Sequence, residues 1–146
     1  MDTLNLRRVM RRNDVGSEII ELAIVMPILV LLLLGIVDFA FLFQRWEVVT
    51  NATREGARLG SMGTADDAAG LGYVAADVES RVQSYLTSSG LRATPAIGVN
   101  FDTTEDINGV IVPTVTVSVS YPSNFIFLPG SINLQSASEM RSESGE

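Results

Sequence analysis

The sequence predicts an α+β protein in which a long N-terminal transmembrane helix runs on into a small domain with a second helix and a three-stranded antiparallel sheet. Three observations carry this expectation. An apolar stretch from Leu22 to Val37, extended by Phe39 to Phe43, is long enough to cross a hydrocarbon core of roughly 30 Å, which takes about 20 helical residues. Helical spacing of apolar residues then persists past Phe43, and two-residue alternation takes over in the last third of the chain. At 146 residues there is room for one membrane helix and one small domain.

The expected parts are a basic leader at 1–16, a transmembrane helix at 17–43, its extension outside the membrane at 44–63, an α+β domain at 64–141 and a disordered tail at 142–146. Charge supports that order. The leader holds four arginines (Arg7, Arg8, Arg11, Arg12) against two aspartates, whereas residues 64–146 hold three arginines against ten carboxylates. A basic N-terminal flank predicts a cytoplasmic N-terminus and an extracytoplasmic C-terminal domain, a single-pass arrangement. The acidity of that domain argues against nucleic acid as a partner. A cleaved secretory signal is a poor match, because its apolar core runs to about 15 residues and this one continues well beyond.

The first helix is expected from about Ser17 to about Leu59. Phe39, Leu42, Phe43, Trp46, Val49, Thr53 and Ala57 recur at threes and fours as one apolar face, with Gln44, Arg45, Glu47, Asn51, Arg54 and Arg58 on the solvated or partner-facing side. Trp46 and Arg45 lie where interfacial anchors belong. Pro27 should cost the helix one backbone bond and kink it. Ala52, Gly56 and Gly60 form a row of small residues that a sheet can approach closely, and Gly60 and Gly63 are candidate stops.

Thr64-Ala65-Asp66-Asp67 reads as the start of a second helix, with Thr64 as N-cap and Leu71, Val74, Ala75, Val78, Val82, Tyr85 and Leu86 as its apolar stripe. Ile97, Val99 and Phe101 fit a strand, Asp102 to Gly109 a polar turn, and Ile111 to Tyr121 the clearest strand, ended by Pro122. After a Pro129-Gly130 turn, Ile132, Leu134, Ser136, Ser138 and Met140 alternate in a last strand.

Cysteine, histidine and lysine are all absent. Disulfides, thiolate metal sites, the commonest general base and the amine nucleophile are thereby excluded. With no phosphate-binding loop or nucleophile motif either, the expectation is a protein that is not an enzyme and takes no cofactor or metal.

Gly16 preceded by arginines, with glutamate at the fifth position after it, resembles a type IV prepilin processing site. Leu34-Gly35-Ile36-Val37-Asp38-Phe39 and Asn51-Ala52-Thr53-Arg54-Glu55-Gly56-Ala57-Arg58 resemble the two signature blocks of the TadE-like proteins, pseudopilins of the tight-adherence pilus machinery. An aromatic often follows the glutamate in these proteins, where this chain has Leu22. The resemblance covers about the first 60 residues well. It implies a pilin-like fold, cleavage between Gly16 and Ser17, and a role as a subunit in pilus assembly. The implied partners are a prepilin peptidase, other pilin or pseudopilin subunits and the inner-membrane assembly platform.

Three sets of charges and one aromatic are candidates for that role. An intramembrane carboxylate costs on the order of 3 kcal/mol. Glu21 either reaches headgroup water or, as the resemblance implies, neutralises the new Ser17 amine of a neighbouring subunit. Asp38 is either exposed at the interface or in contact with a subunit or partner. Arg54, Glu55 and Arg58 form local helix pairs worth about 0.2–0.5 kcal/mol each, or lock the helix to the sheet. Trp46 completes the set as a possible contact.

Overall fold

The structure, a computed structural model, describes residues 3–63, 74–107 and 109–142. A helix α1 (Thr3–Gly60) is followed by a second helix α2 (Ala75–Ser88) and by strands β1 (Ala96–Ile107), β2 (Val110–Asn124) and β3 (Ser131–Arg141). The α+β layout expected from the sequence is what forms. All three strands pair antiparallel in the order β1-β2-β3. β1 pairs in two segments, because its register shifts between Asn100 and Thr103.

α1 is about 87 Å long at 1.5 Å per residue. It starts within the basic leader and continues through Pro27, and it contains a stretch long and apolar enough to cross a membrane. Ile19 to Leu33 shows no covered side: Ile20, Ile24, Ile28 and Leu31 each remain more than 60% exposed within the chain. From Val49 onward the same helix is part of the domain. Val49, Ala52, Thr53 and Ala57 are fully buried, and α1 ends where expected, at Gly60.

The core lies between one face of the sheet and the two helices. Val78, Val82 and Leu86 of α2, spaced by four, meet Val115, Val117, Val119 and Tyr121 of β2 and Leu134 of β3. The row of small residues makes this approach possible. A Cβ on Gly56 would lie 2.5 Å from Val82 Cγ2 and 3.3 Å from Val117 Cγ1, and one on Gly60 would lie 3.1 Å from Val115 Cγ2. The opposite face of β2 carries exposed Ser118 and half-buried Thr116 and Ser120. One wet face and one packed face are what alternation in an antiparallel strand produces.

Several boundaries differ from expectation. Val74 is extended (φ −93°, ψ 168°), not helical, and its N–H donates to the Asp77 carboxylate at 3.2 Å. The expected N-cap at Thr64 and the helical turns through Leu71 lie outside the described residues. The 102–109 stretch is not a polar turn: β1 runs on to Ile107, which pairs with Val110, and the Gly109 N–H donates to Asp106 Oδ1 at 2.7 Å. Polar residues tolerate this strand because it is an edge and faces solvent.

Pro122 does not end β2 either. The stretch Thr114–Ser120 has neighbours on both sides; Pro113 pairs only with β1 and Pro122 only with β3. Both prolines sit just outside the doubly paired stretch, where a missing N–H need not cost a ladder bond. Ser142, expected in the tail, donates its N–H to Pro113 O at 2.9 Å, and residues 143–146 lie outside the described residues.

Candidate functional site

Two charges on one side of α1, Asp38 and Arg45, hold the loop that joins β2 to β3. Asp38 is 2% exposed. Its Oδ1 accepts from the Ile126 N–H at 2.8 Å and the Phe127 N–H at 3.1 Å, and its Oδ2 from the Phe127 N–H at 3.1 Å and the Leu128 N–H at 2.8 Å. Three successive amides facing one carboxylate form an anion-binding concavity, here filled by the chain's own side chain. Two helical turns on, Arg45 Nη1 donates to Ser123 Oγ at 2.9 Å and to the Asn124 carbonyl at 2.8 Å.

Asp38 is therefore not exposed at an interface, and Arg45 is not on the free side of the helix. Seven residues apart, the two lie on the same face. That spacing was the available signal, but its counterpart is 88 to 90 residues away and has no period of its own. The loop brings Leu128 to Gly35, whose Cβ would lie 3.9 Å from Leu128 Cδ1. Phe127, Leu128 and Pro129 face the Pro27–Leu34 part of α1 across an open apolar groove.

The aromatics Phe39, Phe43 and Trp46 do not continue the core-facing stripe as the periodicity implied. They are 67%, 52% and 42% exposed, with Phe43 and Trp46 rings 5.8 Å apart. The helix turns its Asp38, Arg45, Val49 line inward instead, so the aromatic side is available to lipid or another protein.

Glu55 is the centre of the second cluster. Arg58 Nε and Nη2 donate to its two oxygens at 3.1 Å, and Arg81 Nη2 on α2 donates to Oε1 at 3.0 Å. The Arg58 guanidinium first, and then Arg81, hold the Glu55 carboxyl down to about 2. The Arg58 bonds form the expected local i,i+3 pair, and the Arg81 bonds connect α1 to α2, whereas the expected lock was between helix and sheet. Arg54 is exposed.

Gly16, Ser17 and Glu21 are all exposed, with nothing within 4 Å of a Cβ placed on Gly16. Ser17 and Glu21 share a helix face by their spacing of four. Among the described residues Glu21 has no hydrogen bond or ion pair.

Residues 16–58 match the family model of the TadE-like proteins. No curated protein and no solved structure matches the chain. The matched segment begins at Gly16, contains Glu21, Asp38 and Glu55, and ends at Arg58, two residues before the end of α1.

Proposed function

We propose that this chain is a TadE-like pseudopilin, a minor subunit that is anchored in the bacterial inner membrane and takes part in assembling a tight-adherence pilus. Its role is structural, not enzymatic. The observation that carries this reading is the family match over residues 16–58, which takes in Gly16, the apolar span, and Ala52 and Gly56 of the small-residue row that seats the domain. The partners that follow are a prepilin peptidase acting at Gly16–Ser17, other pilin or pseudopilin subunits and the inner-membrane assembly platform. The N-terminus is cytoplasmic and the domain extracytoplasmic, as the basic leader favours.

In this reading the peptidase frees an amine at Ser17 one helical turn from Glu21. A neighbour's Glu21 then neutralises that amine within the apolar filament, where an uncompensated charge is most costly. A second reading is an unprocessed, membrane-anchored binding or scaffold domain. It draws support from the continuity of α1 through the Gly16–Ser17 bond, since a peptidase needs that helix locally unwound.

The mass of the membrane-extracted protein separates the two. A mature chain beginning at Ser17 supports the pseudopilin, and an intact Met1 supports the anchor. Gly16→Leu should abolish the shorter mass, because a pocket that accepts glycine has no room for a branched side chain.

A further inference from the structure

The loop that Asp38 holds has a composition and a bonding pattern that water does not call for. From Phe125 to Gly130 it reads Phe-Ile-Phe-Leu-Pro-Gly, without one polar side chain. Ile126 and Phe127 are 49% and 52% exposed within the chain. Yet four of the five backbone N–H donors of this irregular segment are met internally. Phe125 donates to the Gly130 carbonyl at 3.2 Å, Ile126, Phe127 and Leu128 donate to Asp38, and Pro129 has no N–H. A loop in water has no need to satisfy four donors in this way, because water does so. In hydrocarbon it is a requirement, and non-helical backbone there persists only where protein groups meet it.

The position of the loop along α1 agrees. A span centred on Val30 reaches about 15 Å, or ten residues, to either side, so Asp38 falls inside its far edge. Arg45 is the first charge after Asp38 and stands about 10 Å further along the helix, at headgroup level. There it binds Ser123 and Asn124, where the loop begins. From that level the loop descends past Asp38 until Leu128 meets Gly35, about 15 Å below Arg45.

We propose that residues 125–130 are a membrane-immersed loop, seated among the acyl chains of the leaflet on the domain's side, with Asp38 as the group that makes its backbone compatible with hydrocarbon. The pairing works in both directions. Three amides neutralise the field of a carboxylate that the span would otherwise carry at a cost, and the carboxylate satisfies three donors that lipid cannot. The domain is thus attached to the bilayer at two points, the helix and the loop, which fixes its tilt against the membrane. This rests on the reading of α1 as a membrane span.

The test uses the absence of native cysteine. The full chain with a single Phe127→Cys, carrying an environment-sensitive fluorophore, is reconstituted in phosphatidylcholine–phosphatidylglycerol vesicles, beside Leu31→Cys in mid-span and Gln83→Cys on the exposed side of α2. Immersion predicts a blue-shifted Phe127 probe, quenched by nitroxide-labelled lipid nearly as strongly as the Leu31 probe and far less by iodide than the Gln83 probe. Ile126→Cys should give the same result, which guards against a local effect of losing one ring. If the Leu31 probe is quenched by lipid while the Phe127 and Ile126 probes follow Gln83, the loop proposal is overturned and the span stands. Protection of the loop probes from both quenchers overturns it in favour of a protein partner. A Leu31 probe open to iodide removes the span and the loop proposal together.

Discussion

At the scale of single residues, Asp38 joins parts of the chain that are far apart in sequence. Its carboxylate receives four short contacts from three amides, and no neighbouring side chain replaces it. Asp38→Ala leaves those donors unsatisfied, at a cost on the order of 1–3 kcal/mol for each buried group that finds no water. The expected outcome is fast amide exchange at Ile126, Phe127 and Leu128 and a lower melting temperature, measured on the detergent-solubilised full chain. Exchange as slow as in the parent would show that the carboxylate is dispensable.

Glu55 makes a pH-dependent contribution of the opposite kind, small and exposed. Its folded pKa of about 2 lies below the ordinary glutamate value near 4.3. The stabilisation is therefore complete above about pH 4.3 and fades as the pH falls toward 2. Arg58 and Arg81 are more than half exposed, so solvent limits the effect to about 1 kcal/mol. Glu55→Gln should be less stable than the parent in urea unfolding near pH 6, and the difference should all but vanish near pH 2. An equal gap at both pH values would mean the carboxylate's charge is irrelevant.

At the scale of elements, α1 changes its surroundings along its length, and its residues change with them. From Leu22 to Leu33 it is apolar on every side; from Val49 it offers valine and small residues to α2 and β2. Gly56 marks the closest approach. Gly56→Ala should cost on the order of 1–3 kcal/mol through overpacking against Val82, even though alanine favours a helix. Gly16→Ala, with open space around it, should leave thermal stability unchanged or slightly raised. Equal melting temperatures for the two variants would show that the helix and α2 can separate at no cost. β2 teaches a related lesson: Pro122 reads as a strand end in sequence, but it lies within β2 where only β3 is a partner.

At the scale of the whole molecule, Glu21 is a charge near the start of the span with no match among the described residues. If it pairs with a neighbour's Ser17 amine, Glu21→Ala should still insert and fold, because removing a charge makes insertion easier. Surface piliation should nevertheless fall, with subunits accumulating in the membrane, since a bare ammonium would have to enter an apolar filament. Glu18→Ala, one turn nearer the leader, should matter less. Normal piliation in the Glu21 variant would shift weight to the unprocessed anchor.

What the sequence determined by itself is what local periodicity and composition can carry: the apolar span, its continuation to Gly60, the inward line Val115, Val117, Val119, and the small row at Ala52, Gly56 and Gly60. These are properties of one element and its solvent, and they repeat within a few residues. The tertiary structure alone decided which side of α1 between Asp38 and Val49 turns inward. Phe39, Phe43 and Trp46 looked like the buried face because they are apolar, but a membrane rewards apolar residues on the outside. The inward line was instead set by where a loop nearly 90 residues later needs a carboxylate and a guanidinium. Such a match between a helix face and an aperiodic loop leaves no repeat in the sequence, because it exists only once the sheet has brought Asn124–Gly130 back to the helix.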